Sequence, residues 1–212
     1  VVTQIRLPRV LTALLCGAAL ALSGAAYQSM FMNPLVSPAL LGVLAGAAFG
    51  ASIGMLLSNN MLVAQLFAFG FGIAAVGLAV LLARFFPGNR LIMLIMGGVI
   101  SSSLFTALLS VVKFVADAHN ELPAIVYWLM GGFSAVSGSA AAVVLPFIIV
   151  GIILIIAMSG YLNVLSMGDE EAASLGVDVK RIRMLLIIIT TLISSLTVAL
   201  GGMIGWLGLM IP

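Results

Sequence analysis

The sequence SGYLNVLSMGDEEAASLGVDVKRIR, residues 159–183, is a polar interval in a chain that is otherwise largely apolar. It contains four of the six acidic residues of the chain and three of its eight lysines and arginines. Three consecutive acids beginning at Asp169 open a short alanine-rich run that stops at Gly176. Acids favour the positive end of a helix dipole and glycine favours a C-terminal cap, so the pattern predicts a short water-facing helix at 169–175. The interval is either a docking element for a soluble partner or a solvated connecting loop.

The composition around this interval indicates a membrane protein. Hydrophobic residues make up 64% of the chain, charged residues 7%, and the mean hydropathy is +1.36. An ordinary soluble domain is about half apolar, so that class is excluded. The single cysteine, Cys16, rules out a disulfide framework, and a net charge of +2 is too small to indicate nucleic-acid binding. We expect one transmembrane domain over residues 1–212, truncated at both ends.

Apolar runs separated by polar turns predict six membrane spans of about 20 residues. They lie at 10–32, 40–57, 61–83, 91–115, 140–158 and 182–200. Residues 122–131 are apolar but too few to cross a bilayer. Closely spaced glycines, Gly42, Gly46 and Gly50 in one span and Gly70 and Gly77 in the next, predict tight helix packing. The expected fold class is therefore an all-α, polytopic bundle of membrane helices.

The distribution of positive charge predicts the orientation. If residues 122–131 dip into the membrane without crossing it, Arg6, Arg9 and Lys113 share one side. The other side then holds five cations: Arg84, Arg90, Lys180, Arg181 and Arg183. Loops rich in lysine and arginine stay in the cytoplasm, so the polar interval is predicted to be cytoplasmic. A crossing by the short segment would invert this assignment for everything after it.

Arg6 and Arg9 then face outward, against the usual trend. Their spacing places them on neighbouring helical positions at the mouth of the first span. Such a pair can steer and orient an acidic partner. Alternatively, the two side chains anchor the span among lipid headgroups.

Several kinds of chemistry have no signature in this sequence. It lacks the phosphate-binding pattern G-x-x-x-x-G-K-[ST] and any Cys/His cluster with metal-ligand spacing. The predicted spans contain no Asp or Glu, which disfavours ion-coupled transport. We therefore expect no catalytic residue, cofactor or metal site, and we expect energy to come from a separate protein.

Four segments of the chain resemble one known family. They are RLPRVLTALLCGAALALSGAAYQSMFMNPLVSPALLGVLAGAAFGA at 6–51, WLMGGFS at 128–134, LSMGDEEAASLGVDVKRIR at 165–183 and GGMIGWLGLMIP at 201–212. In this order they resemble the FecCD-type permease subunits of ABC importers for iron–siderophore, haem and cobalamin. The resemblance covers essentially the whole chain.

This resemblance implies a type II ABC importer permease, with about six to seven of its ten spans present. It implies a second permease subunit, expected as a homodimer, two cytoplasmic ATP-binding subunits and a periplasmic or lipid-anchored substrate-binding protein. The location would be the inner (plasma) membrane of a prokaryote. The expected substrate is an iron chelate, either a siderophore or haem. The alternatives are cobalamin or molybdate/tungstate, or a membrane scaffold subunit outside the ABC class.

The resemblance also implies roles for particular residues. Arg6 and Arg9 match arginines that receive the binding protein. Residues 160–183 match a cytoplasmic coupling loop that contacts the ATPase through Gly168, Asp169, Glu170, Glu171, Ala172, Ala173, Leu175 and Gly176. A turn near the cytoplasmic gate is formed by Asn33, Pro34 and Leu35. The pathway is faced by Ser101, Ser102, Ser103 and Thr106, unless these hydroxyls bond to carbonyls of their own helix.

Overall fold

The helices follow the apolar runs of the sequence. The computed structural model describes residues 6–58, 60–134 and 136–212, with the backbone alone at residue 90. The helices in these ranges are α1 Leu7–Phe31, α2 Val43–Leu57, α3 Met61–Phe85, α4 Arg90–Val115, α5 Glu121–Leu129, α6 Gly138–Ala157, α7 Ser159–Leu165, α8 Asp169–Ser174, α9 Val179–Gly201 and α10 Leu207–Met210. Five of them, α1, α3, α4, α6 and α9, are long and apolar enough to cross a membrane. The chain is thus an all-α, multi-pass membrane protein, as predicted.

The second predicted span, 40–57, is broken near its start. Pro38–Leu41 form a 3₁₀ turn, and α2 then runs for 15 residues, or about 22 Å. Gly42 joins the two pieces with φ +89°, a conformation that favours glycine. A Cβ at this position would also lie 3.2 Å from the hydroxyl oxygens of Ser101 and Ser102 on α4. The break therefore depends on a glycine, and α2 is shorter than a full span.

Glycines on α2 let it pack closely on α3, as expected. A Cβ on Gly46 would overlap the carbonyl oxygen of Phe71, and one on Gly50 would overlap that of Phe67. Close backbone approach of this kind allows the van der Waals packing that helps to drive helix association in lipid. The same expectation for Gly70 and Gly77 is wrong, since nothing lies within 4 Å of a Cβ on either residue. They face outward from α3, because periodicity alone does not say which face of a helix meets a neighbour.

Contacts between distant segments define the two ends of the bundle. The arginine end carries Arg6 and Arg9 and the start of α6, where a Cβ on Gly138 would lie 3.7 Å from Pro8 Cγ. The polar end carries α7, α8 and the end of α1, where Met32 Sδ would lie 4.0 Å from a Cβ on Gly168.

Helix α5 stays at the arginine end. Its nine residues extend about 14 Å, too little to cross a bilayer. After it, the amide of Gly132 donates a 2.6 Å hydrogen bond to the carbonyl of Gly201, where α9 ends. The short segment therefore dips without crossing, and the polar interval lies at the opposite end from Arg6 and Arg9.

Candidate functional site

Helix α8 begins at the residue predicted and ends one residue earlier than predicted. Its last turn is closed by two hydrogen bonds, from Gly176 N to Ala173 O at 3.0 Å and from Val177 N to Ala172 O at 3.1 Å. This pair of bonds is a Schellman motif, and Gly176 takes the left-handed conformation that the motif requires, with φ +80°. The expected glycine cap is confirmed.

The start of α8 also depends on a glycine. Gly168 has φ +114°, a conformation in which a larger residue is strained. The carboxylate of Glu171 folds back over it, so that Oε2 would lie 2.8 Å from an added Cβ. Met32 Sδ would lie 4.0 Å from the same Cβ, so the start of α8 is near the end of α1.

An ion pair attaches α8 to α9. Arg183 donates from Nη2 to Asp169 Oδ1 at 2.6 Å and from Nη1 to Asp169 Oδ2 at 3.1 Å. Arg183 is only 8% exposed, whereas the side chain of Asp169 is half exposed. Bidentate pairing fixes orientation as well as distance, so the first residue of α8 is held to the second turn of α9.

Arg183 is one of the five cations predicted to be cytoplasmic, and the sequence pattern predicts no site role for it. Its partner is 14 residues away, across a glycine-capped turn, so no helical spacing rule connects the two. One sequence feature could have indicated this pair. Arg183 stands near the start of a long apolar helix, and a run of acidic residues precedes that helix. Burial of that arginine requires a nearby carboxylate.

The outer face of α8 combines charge with apolar area. Glu170 and Glu171 are exposed, and so are Met167 and Leu175, at 60% and 61%. We call these four residues the α8 surface. Ala172, which sequence reasoning grouped with the coupling residues, is fully buried and packs α8 onto the bundle.

The turn after α1 lies at the same end of the bundle as this surface. Met32 takes a left-handed conformation with φ +47°, uncommon for a residue other than glycine, and thereby ends α1. The side chain of Asn33 accepts a 2.9 Å hydrogen bond from the amide of Leu35 and so folds the chain back on itself. Asn33, Pro34 and Leu35 are all exposed at the polar end.

The predicted pathway hydroxyls do not form one exposed group. Ser101 is buried and donates a 2.7 Å hydrogen bond to the carbonyl of Ala75 on α3, so it joins two helices. Neither interpretation of Ser101 anticipated this contact. Ser102 is half-buried near Gly42, while Ser103 and Thr106 are exposed on α4.

Arg6 and Arg9 are exposed at the start of α1. Positive charge at the positive end of a helix dipole is unfavourable. Within the described part of the chain, neither arginine forms an ion pair. Their charges therefore do not stabilise α1.

Sequence reasoning overlooked a set of buried hydroxyls on α9. They belong to Thr190, Thr191, Ser194, Ser195 and Thr197. Thr190 and Thr197 bond to carbonyls of their own helix, and a Cβ on Gly72 of α3 would lie 2.8 Å from Ser195 Oγ. Small hydroxyl residues let helices pack closely in lipid, so these residues fit α9 into the centre of the bundle.

Comparison with known proteins agrees with this architecture. A profile described as the FecCD transport family matches residues 1–212. The chain is 41% identical over 215 residues to the molybdate import permease protein MolB of Haemophilus influenzae, covering all of this chain and 63% of MolB. It is 35% identical over 212 residues to a Helicobacter pylori permease protein named for iron chelatin transport, covering 64% of that relative.

A solved structure shares the fold. It is an ABC transporter of the metal-chelate type in an inward-facing conformation, with 37% sequence identity and a TM-score of 0.93. The match covers 99% of this chain and 67% of the solved one. The chain thus spans about two thirds of the length of the proteins it matches.

Proposed function

Because this chain belongs to the FecCD transport family, we propose that it is the membrane-spanning permease of a binding-protein-dependent ABC importer. The observation that carries the proposal is the geometry of α8. This short helix begins at Gly168, is capped at its C-terminal end by Gly176, is attached to α9 by Asp169 and Arg183, and lies near Met32 at the end of α1. Its exposed acids and apolar side chains suit a docking surface for a soluble partner.

That partner is, in our proposal, a cytoplasmic ATP-binding subunit, which carries out the hydrolysis. The permease itself changes no covalent bond. Movement of the partner displaces α8, and the Asp169–Arg183 pair passes the displacement to α9. Met32, whose Sδ would lie 4.0 Å from a Cβ on Gly168, brings the end of α1 close enough to follow this movement, and the 33–35 turn would form part of the gate.

The opposite end is proposed to receive the substrate-binding protein. Arg6 and Arg9 are exposed there, and no described residue neutralises them. Because these charges do not stabilise α1, they are suited to binding an acidic partner. Complementary charges of this kind speed association and fix the orientation of the partner. Solute would then enter at the arginine end and leave at the polar end.

A second copy of the permease is proposed to complete the pathway. Helix α4 carries exposed apolar side chains on a face where Ser103 and Thr106 are also exposed. Packing of two copies along this face would bury the apolar residues and leave the two hydroxyls facing a shared pathway. Ser101 is excluded from that role because its hydroxyl is bonded to α3.

The proposed substrate is a metal-containing solute. The Helicobacter pylori relative is named for iron chelatin, which supports an iron chelate as the first candidate. The Haemophilus influenzae relative is named for molybdate and shares more residues with this chain, which supports molybdate as the second. Both assignments rest on the names of relatives, since specificity in this class lies mainly in the separate binding protein.

Uptake into vesicles tests the proposal. The intact permease is reconstituted with its ATP-binding subunit and binding protein, and entry of radiolabelled iron chelate, molybdate and cobalamin is measured. Uptake of one of them should require both ATP and the binding protein. Uptake driven by an ion gradient without the ATP-binding subunit would contradict the proposal, as would an assembled complex that carries none of the three.

A further inference from the structure

A basic cavity opens between α3 and α9 at the polar end. Its volume is about 550 Å³, and its cationic lining residues are Arg84, Lys180 and Arg183. Phe86 and Pro87 contribute to its wall, and no carboxylate lines it among the described residues. The cavity therefore concentrates positive charge at the boundary between membrane and water.

Two of the three cations are free to bind a ligand. Arg183 is already paired with Asp169, whereas Arg84 and Lys180 form no ion pair with any described residue. Lys180 also stands in the first turn of α9, where the helix dipole is positive. The positive charges of Arg84, Lys180 and Arg183 repel one another, and an anion in the cavity would offset that repulsion.

An apolar groove continues from this cavity toward the middle of the membrane. Its volume is about 270 Å³, and it shares Val80, Arg84, Met184 and Ile187 with the basic cavity. The α3 wall extends to Ile73, eleven residues before Arg84, a length of about 16 Å. That length is roughly half of the 30 Å hydrocarbon thickness of a bilayer, so the groove spans about one leaflet.

We propose that the basic cavity and the groove together bind one anionic phospholipid. Arg84 and Lys180 hold the phosphate of the headgroup, and an acyl chain lies in the groove against the open backbone of Gly77. A basic pocket between membrane helices selects anionic headgroups. The groove distinguishes a lipid from a free anion, which has no apolar part to place in it.

Lipid retention by the intact permease tests the headgroup contacts. The protein in detergent is titrated with phosphatidylglycerol or with phosphatidylcholine, and bound lipid is counted by native mass spectrometry. Wild-type protein should retain phosphatidylglycerol at least about tenfold more tightly than phosphatidylcholine. The double variant Arg84→Gln, Lys180→Gln should lose this preference. The variant Arg181→Gln should keep it, because Arg181 is outside the cavity and paired with Asp178.

A second pair of variants tests the groove. Gly77→Leu should fill it and reduce phosphatidylglycerol retention about tenfold. Gly70→Leu places the same side chain on open surface of the same helix, outside the groove, and should leave retention unchanged. Thermal unfolding of each variant checks that it is folded.

Three results would overturn the proposal. The first is equal retention of the two lipids, which would mean that the site has no charge preference or is covered by other helices of the permease. The second is retention that neither the Arg84/Lys180 variant nor Gly77→Leu reduces. The third is displacement of the lipid by millimolar inorganic phosphate, which would identify a free-anion site.

Discussion

Arg183 and Asp169 meet through two hydrogen bonds across a glycine-capped turn, one residue buried at the start of α9 and the other half exposed at the start of α8. Under the proposed mechanism, this pair is a rigid joint between the ATPase contact and the membrane. A buried charge that loses its partner is costly, but water reaches Asp169, so we expect a stability loss of only about 2 kcal/mol for Asp169→Ala.

The same substitution should uncouple ATP hydrolysis from transport. We expect the number of ATP molecules hydrolysed per solute imported to rise severalfold, measured in reconstituted vesicles. The exchanged pair Asp169→Arg with Arg183→Asp should recover part of the coupling, which a double-mutant cycle would quantify. An unchanged ratio in Asp169→Ala would refute the joint.

Charge reversal on the α8 surface should weaken the ATPase contact. Glu170→Lys with Glu171→Lys leaves Ala172 and the Asp169–Arg183 pair in place, but lysines in the first turn oppose the helix dipole. Hydrogen exchange of the Val177 amide is therefore measured in the same variant, to check that α8 remains folded. We expect the dissociation constant for the ATP-binding subunit to rise by about tenfold, equivalent to about 1.4 kcal/mol. Surface-bound permease and a titration of that subunit would measure it.

Glu121→Lys is the matched control, since Glu121 is at the opposite end of the bundle. Its effect on ATPase binding should be negligible. Equal weakening by Glu121→Lys would show that net charge, and not the α8 surface, determines the affinity.

Reversal of the arginine pair should slow docking of the binding protein. Arg6→Glu with Arg9→Glu should lower the association rate most strongly at low salt, where charges are least screened. Acids at a helix N-terminus favour the dipole, so a loss of docking would not reflect a weaker α1. Stopped-flow association over a series of salt concentrations measures the effect, with ATPase activity expected to stay near wild type.

Lys113→Glu reverses a charge at the same end, in the last turn of α4. It should change the association rate less than the arginine pair does. If the arginine double variant associates at the wild-type rate in low salt, Arg6 and Arg9 are lipid anchors instead.

Gly176→Ala should loosen the end of α8. No atom lies within 4 Å of the added Cβ, so the whole cost, about 1 kcal/mol, comes from the positive φ. Hydrogen exchange of the Val177 amide, which bonds to Ala172, should accelerate about fivefold.

Gly160→Ala is the control, because it adds the same methyl group where the backbone is ordinary helix. Gly160 lies within α7, and no atom lies within 4 Å of its added Cβ. This change should stabilise α7 slightly, as alanine favours helix over glycine. Slower exchange at Val177 in Gly176→Ala would contradict the strain argument.

The sequence predicted those features that depend on neighbouring residues. Hydropathy placed the long helices within a few residues, and the acids and the glycine around α8 located that helix to within one residue, because caps and dipoles act locally. The short α5 was recognised as too short to cross because length alone decides that question.

Features that depend on contacts between distant residues were missed. The break at Gly42 is tied to Ser101 and Ser102 on α4, and the Ser101 hydroxyl bonds to a carbonyl on α3. The outward position of Gly77 follows from how α3 rotates against its neighbours. None of these relations has a fixed spacing along the chain.

The two left-handed glycines at 168 and 176 terminate α8 from both sides using only nearby atoms. Its ties to the rest of the bundle are the Arg183 contact, the buried Ala172 and the proximity of Met32 to Gly168. The exposed residues between these glycines, Glu170, Glu171 and Leu175, can therefore be substituted without disturbing the ends of the helix. Under the proposed function, substitutions at these positions could adapt α8 to a different ATP-binding subunit while the membrane-spanning helices stay unchanged.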